Sequence, residues 1–197
     1  MRVTLSRSNL PGCMSGVTTS KFVFLQKLKD ITTFVFDVDG VLTDGSILVS
    51  ETGEALRQFN IKDGYALQLA VKKGYNVCII SGGKGKAMER RFESLGITDV
   101  YLGAGDKTLL FHEYLAARSV SQAQVLYMGD DIPDLAVMKL AGIAACPADA
   151  VPEIKAVSMY ISPFTGGRTA VRDIIEKVLR VQGQWFDRQP DAADSGK

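Results

Sequence analysis

The chain is poor in cysteine and histidine, has no long apolar run and carries no excess of charge. Its three cysteines, Cys13, Cys78 and Cys146, form an odd set without metal-ligand spacing. Cys78 lies in an apolar run and reads as a buried thiol, so a reducing cytoplasm is the expected compartment. The only histidine, His112, falls in a helical stretch and reads as a structural or surface residue. The only tryptophan, Trp185, leaves open whether it anchors a tail at an interface or packs within the chain. No apolar stretch approaches bilayer length, and residues 1–20 carry Arg2 and Arg7 without the apolar core of a secretory signal. With 23 basic and 22 acidic residues the net charge is +1, which calls for neither nucleic acid nor membrane. There is no internal repeat.

What remains is an ordinary globular composition, 46% hydrophobic over 197 residues, enough for one domain with short tails. Residues 1–20, rich in Ser, Thr and Gly, read as a flexible lead-in. Residues 21–184 read as the domain, and 185–197 as a polar tail. The first apolar run, about Ile31 to Asp37, reads as a buried strand. Two short apolar segments around Glu51-Thr52-Gly53-Glu54 predict a β-hairpin at about 45–60. Buried strands then alternate with amphipathic helices. Asp63 is the expected cap of the first helix, and Leu67, Ala70 and Val71 mark its inner face. The pattern predicts an α/β fold with a parallel sheet covered on both faces.

The most informative stretch is Phe34-Val35-Phe36-Asp37-Val38-Asp39-Gly40. An apolar strand stops at two carboxylates one residue apart. Close anions repel, burial penalises both, and a bound cation is the simplest remedy. In a doubly wound sheet all the parallel strands end on one edge. Ser81-Gly82-Gly83 ends a second strand, Lys107 opens a helix after a third, with Asp106 as its N-cap, and Gly129-Asp130-Asp131 with Asp134 follows a fourth. This set suits phosphoryl transfer through a covalent intermediate. Asp37 is the candidate nucleophile, and Asp39 the group that protonates the leaving alkoxide and then activates water. Asp37 and Asp130 would share a hard divalent ion, with Mg²⁺ the expected cofactor. Ser81, Gly82 and Lys107 would hold phosphoryl oxygens, while Asp131 and Asp134 stand behind them, Asp134 orienting Lys107.

These motifs, in this order, resemble those of haloacid dehalogenase (HAD) superfamily phosphatases over roughly residues 30 to 180. Thr43-Asp44-Gly45, Gly53-Glu54, Phe59, Lys62-Asp63-Gly64 and Gly166-Gly167-Arg168 narrow the resemblance to the capless phosphatases of 3-deoxy-D-manno-octulosonate (KDO) 8-phosphate. The resemblance implies a Rossmann-like fold with a hairpin in place of a cap domain. It implies metal ligation by Asp37, the Asp39 carbonyl and Asp130, and a cytoplasmic homotetramer whose hairpins associate. It also implies a small acidic sugar phosphate as substrate and a place in lipopolysaccharide biosynthesis. Those phosphatases typically carry Arg directly after the Gly of the second motif, and a related group acting on nine-carbon keto-deoxy sugar 9-phosphates carries Glu. Here the position is Gly83. Lys84, Lys86 or a neighbour's Arg168 are the sequence candidates for the sugar carboxylate. A phospho-accepting signalling domain combines similar residues, but in a different order. A non-catalytic module is disfavoured by the intact catalytic set.

Overall fold

The computed structural model describes residues 16–185. Helix α1 (Gly16–Asp30) precedes β1 (Thr33–Phe36), and a hairpin of β2 (Leu48–Val49) and β3 (Ala55–Leu56) leads into α2 (Ile61–Lys72). Then come β4 (Asn76–Ser81), α3 (Lys86–Ser94), β5 (Asp99–Leu102), α4 (Lys107–Arg118) and β6 (Val125–Met128). A 3₁₀ turn (Ile132–Asp134), α5 (Leu135–Met138), β7 (Ile143–Cys146), α6 (Pro152–Val157), β8 (Tyr160–Ile161) and α7 (Ala170–Val181) complete the order. Six strands pair in parallel in the order β5-β4-β1-β6-β7-β8, and β2 pairs only with β3, antiparallel. No helix among the described residues is long and apolar enough to cross a membrane.

Strand alternation divides the interior into two cores, because successive side chains leave opposite faces of a sheet. Phe34, Phe36, Val77, Ile79, Leu126 and Met128 join α1, α2, α3 and α7 on one face. Val35, Cys78, Ile80, Val125 and Tyr127 join α4, α5 and α6 on the other. A strand covered on both sides has no polar alternation, which is why the four residues of β1 are all buried.

Three expectations change. The lead-in over residues 1–20 is helical from Gly16, and residues 1–15 lie outside the described residues. Helix α1 has little period to read, because Leu28 is buried and Phe24 stacks on Tyr160 at 5.2 Å while Phe22, Val23 and Leu25 stay exposed. Trp185, expected to begin the polar tail, is buried edge-on against Tyr65, with the Arg172 guanidinium 5.1 Å from its ring centre. It therefore packs within the chain; residues 186–197 lie outside the described residues. Asp63 does not cap α2. Asn60 does, accepting the Lys62 N–H at 2.8 Å. The buried Asp63 carboxylate instead accepts the N–H groups of Thr169 (3.1 Å) and Arg172 (2.7 Å), capping α7 from a different helix. Thr169 precedes α7 at φ +80° and makes no side-chain cap of its own, so that duty falls to Asp63.

Candidate active site

β1 lies at the centre of the sheet, and the chain leaves it for β4 on one side and β6 on the other. Such a reversal opens a crevice at the carboxyl end of the strand. Asp37 is the first residue past β1, and its N–H donates to the Met128 carbonyl at 3.1 Å. One carboxylate oxygen accepts the Val38 N–H at 2.7 Å, and the other lies 2.9 Å from Lys107 Nζ. Lys107, the first residue of α4, also reaches Asp134 Oδ1 at 2.8 Å, and that oxygen accepts the Tyr127 hydroxyl at 2.7 Å. All four side chains are buried.

Asp130 completes an acidic group. Asp37, Asp130 and Asp134 each offer an oxygen within 4.8 Å of the other two. Asp130 Oδ1 and Asp134 Oδ2 are buried without a hydrogen-bond partner. A buried carboxylate oxygen left unpaired is costly, so two in one place call for a cation. The electrostatics agree. Burial and the Asp134 charge push Asp37 up to about 7, against the pull of Lys107. Burial and the charges of Asp37, Asp134 and Asp131 push Asp130 up to about 7 as well. Burial alone would lower the Lys107 ammonium, but Asp134 and Asp37 outweigh it and hold it above its ordinary value. An all-oxygen donor set of this charge suits a hard divalent ion.

The backbone is shaped to allow this cluster. Gly40 has φ +84°, and a Cβ there would collide with the Asp130 carboxylate. Thr43, fully buried, accepts the N–H groups of Gly40 (3.4 Å) and Gly45 (3.3 Å) and donates to the Val38 carbonyl at 3.4 Å, pinning the loop after Asp37. Gly166 and Gly167 pack flush against that loop. A side chain at either would strike its backbone, and the Gly167 N–H donates to the Val41 carbonyl at 2.9 Å. The Asn60 amide holds the Gly167 carbonyl at 3.2 Å. The double glycine thus does more than start α7: it buttresses the loop after Asp37.

A cavity of about 580 Å³ opens over the cluster, within the range that holds small ligands. Asp37, Asp39, Ser81, Gly82, Gly83, Lys107, Asp130, Asp131 and Asp134 all line it. The sequence-predicted groups therefore converge. Ser81 ends β4, with its hydroxyl accepting the Gly83 N–H at 3.1 Å. Asp131 accepts the Ile132 N–H at 2.8 Å and heads the 3₁₀ turn. Asp134 holds Lys107 through Oδ1 and is also a member of the acidic cluster. Asp106 is the N-cap of α4, as expected. Three candidates stay outside the lining. Lys84 lies across Gly103, Lys86 is exposed at the start of α3, and Arg168 is exposed beside Asp44, 3.8 Å away. The Asp39 carboxylate faces not the cluster but Arg57, with Nε–Oδ1 2.6 Å and Nη2–Oδ2 3.0 Å.

No family model matches the chain. The KDO 8-phosphate phosphatase KdsC of Yersinia pestis is 38% identical over 158 residues, 80% of this chain and 84% of that protein. The chain belongs to the KDO 8-phosphate phosphatase family, within the HAD superfamily. KdsC of Escherichia coli K12 is likewise 38% identical, over 160 residues covering 81% of this chain and 85% of its own. The crystal structure of the Moraxella catarrhalis family member, in complex with magnesium, phosphate and KDO, superposes with a TM-score of 0.79 at 34% identity. That alignment covers 82% of this chain and 92% of the Moraxella one. A HAD subfamily III A hydrolase from Legionella pneumophila gives a TM-score of 0.83 at 31% identity, covering 86% and 93%.

Sequence reasoning missed Arg57, Tyr127 and the trans-capping role of Asp63. Tyr127 had a readable signal: a hydroxyl in the buried run Val125–Met128 must find a partner. Arg57 and Asp63 had none, because their partners are distant in the chain and nothing local marks them.

Proposed function

We propose that this chain hydrolyses 3-deoxy-D-manno-octulosonate 8-phosphate to the free sugar acid and phosphate, through an aspartyl phosphate on Asp37 and with Mg²⁺ bound. The observation that carries the reading is the largely buried Asp37–Asp130–Asp134 cluster, with its two unpaired oxygens, facing Lys107 at the carboxyl end of β1. Asp37 and Asp130 would hold the ion together with the Asp39 carbonyl, and Asp134 would add a third nearby carboxylate oxygen. When bound, the ion supplies positive charge to the carboxylates and the phosphoryl oxygens.

The residues of the chain do the rest. The Asp37 carboxylate attacks phosphorus, forming the aspartyl phosphate as the bond to the sugar oxygen breaks. Asp39 gives its proton to that oxygen, so the alcohol leaves neutral. Asp39, now a carboxylate, takes a proton from a water that attacks phosphorus, and the P–O bond to Asp37 breaks. Lys107, the Ser81 hydroxyl and the Gly82 N–H hold the non-bridging oxygens, aimed at charge that grows in the transition state. Asp131 and Asp134 keep the β6 turn and Lys107 in place. Arg168 and Lys84 would contact substrate only if moved or offered by a neighbour, because neither lines the cavity in one chain.

The same reading makes the chain a cytoplasmic homotetramer. Supporting it are the free, buried thiols of Cys78 and Cys146 and the exposed apolar hairpin residues Ile47, Leu48, Val49 and Leu56. A two-stranded ribbon is marginal alone and offers open edges for pairing with another chain. Light scattering of a Leu48→Lys, Val49→Lys variant should register a smaller particle than the parent. Phosphate release from eight- and nine-carbon keto-sugar phosphates tests the main proposal. The eight-carbon substrate should turn over with Mg²⁺ and not with chelator, and Asp37→Asn should be inactive. Release by Asp37→Asn, or preference for the nine-carbon ester, would overturn it.

A further inference from the structure

The geometry points to Arg57, on the hairpin, as the residue that positions Asp39 for proton transfer, through an opening that exists because residue 83 is glycine. Arg57 follows β3 directly. Its Nε and Nη2 grip the two oxygens of Asp39 at 2.6 and 3.0 Å, and its Nη1 donates to the Ala55 carbonyl at 3.3 Å. All three guanidinium nitrogens are engaged. The side chain is 6% exposed although the hairpin is a surface element. A fork fixed to its own strand at one end and to a carboxylate at the other transmits the orientation of the hairpin to that carboxylate.

Gly83 makes the room. A Cβ at residue 83 would lie 2.9 Å from Arg57 Nη2, 2.9 Å from Asp39 Oδ2 and 3.4 Å from Ser81 Oγ. Any side chain there displaces the guanidinium, the carboxylate or both. The absent side chain at the second strand end and the arginine from the hairpin are therefore two halves of one arrangement.

The arrangement has a chemical use. A carboxylate has about four lone-pair positions, and this side-on fork takes one on each oxygen. The remaining positions are held in a fixed direction, one towards the cavity that Asp39 lines. Proton transfer depends on that direction, since a general acid acts only within hydrogen-bond reach of the leaving oxygen. Arg57 does not line the cavity itself, so it acts on the reaction through Asp39. The hairpin thereby becomes a working part of the acid–base machinery.

This inference rests on the proton-transfer role given to Asp39 above, and leaving-group chemistry tests the two separately. An alkoxide leaves poorly without a proton, whereas the p-nitrophenolate of p-nitrophenyl phosphate leaves unaided. kcat/KM for both esters is measured with Mg²⁺ for the wild type, Arg57→Gln, Arg57→Lys and Gly83→Ala, with thermal melts to confirm folding. Arg57→Gln should lose on the order of 10- to 100-fold on the sugar phosphate, as befits loss of an aligned general acid, and less than about threefold on the aryl ester. Gly83→Ala, which leaves Arg57 intact but crowds it, should show the same selectivity, and Arg57→Lys should fall between. Equal losses on the two esters, no loss on either, or a rise in KM alone on the sugar acid would each overturn the positioning role. The last would make Arg57 a substrate contact. A wild type inactive on both esters would instead overturn the phosphatase reading, and this inference with it.

Discussion

Replacing Asp37, the proposed nucleophile, should stabilise the metal-free protein while abolishing its activity. Asp37 is buried beside Asp134 and Asp130, and its carboxyl is pushed from 3.8 up to about 7. A folded-state pKa above the unfolded one means that the native state binds the proton more tightly. That advantage is complete below about pH 4 and is lost as pH rises through about 7. Three units at about 1.4 kcal/mol each make the ionised group at pH 8 cost the apo fold about 4 kcal/mol. Asp37→Asn removes this charge. It keeps an acceptor for the Val38 N–H, but it turns an amide N–H₂ towards the Lys107 ammonium, donor against donor, which costs about 2–3 kcal/mol. The net gain is about 1–2 kcal/mol, or roughly 5 °C in Tm for a domain of this size.

The assay is a thermal melt of both proteins in chelator and in millimolar Mg²⁺, at about pH 5 and about pH 8. In chelator at the higher pH the variant should melt above the wild type, and the gap should shrink at the lower pH, where Asp37 is already protonated. With Mg²⁺ at about a hundred times its Kd, the wild type should gain about 2.7 kcal/mol and overtake the variant. An Asp37→Asn protein that melts below the wild type in chelator at pH 8, or a gap that ignores pH, would refute the claim that the cluster is held in electrostatic tension.

Three other substitutions probe the supports of the site. Lys107→Met leaves Asp37 and Asp134 buried without their cation, so stability should fall by about 3–5 kcal/mol in chelator, and kcat should drop by about 10²–10³ in steady-state assays. Gly40→Ala forces a Cβ into the Asp130 carboxylate at a positive φ, and titration calorimetry should find Mg²⁺ binding lost while the chain still folds. Asp63→Ala strips the cap from α7 and should lower stability by about 2–3 kcal/mol in urea melts. Its activity should fall too, because the glycines that buttress the catalytic loop precede that helix.

The legible parts of this fold are those whose signal is local. The apolar runs of β1, β4 and β6 each end in a polar group, and chain order alone brings those ends to one edge. Asp37, Ser81 and Asp130 were readable for that reason, and Lys107 because it opens the helix after β5. Helix α1 was not, because the buried Leu28 and half-buried Phe24 sit amid the exposed Phe22, Val23 and Leu25. Asp63 misled because an acid at a helix start is normally its cap. Here Asn60 had taken that place, and the carboxylate turned to a helix more than a hundred residues away. Arg57 looks like any surface residue on an edge strand until the fold sets Gly83 beneath it.

These long-range contacts share a target, and the electrostatics explain why. Left to themselves, two buried carboxylates and a half-buried third, with two unpaired oxygens, would drive the loop after β1 outwards until water reached them. Local bonds through the Thr43 hydroxyl hold it only in part, since each is long at 3.3–3.4 Å. The loop is therefore pinned from outside: by Lys107 on α4, by Gly166 and Gly167 under the caps of Asn60 and Asp63, and by Arg57 from the hairpin. A site that must stay poised for a doubly charged ion and a phosphate ester cannot relax its own repulsion. The repulsion is balanced by distant elements, and so the parts of the sequence that make catalysis possible lie far from the parts that announce it.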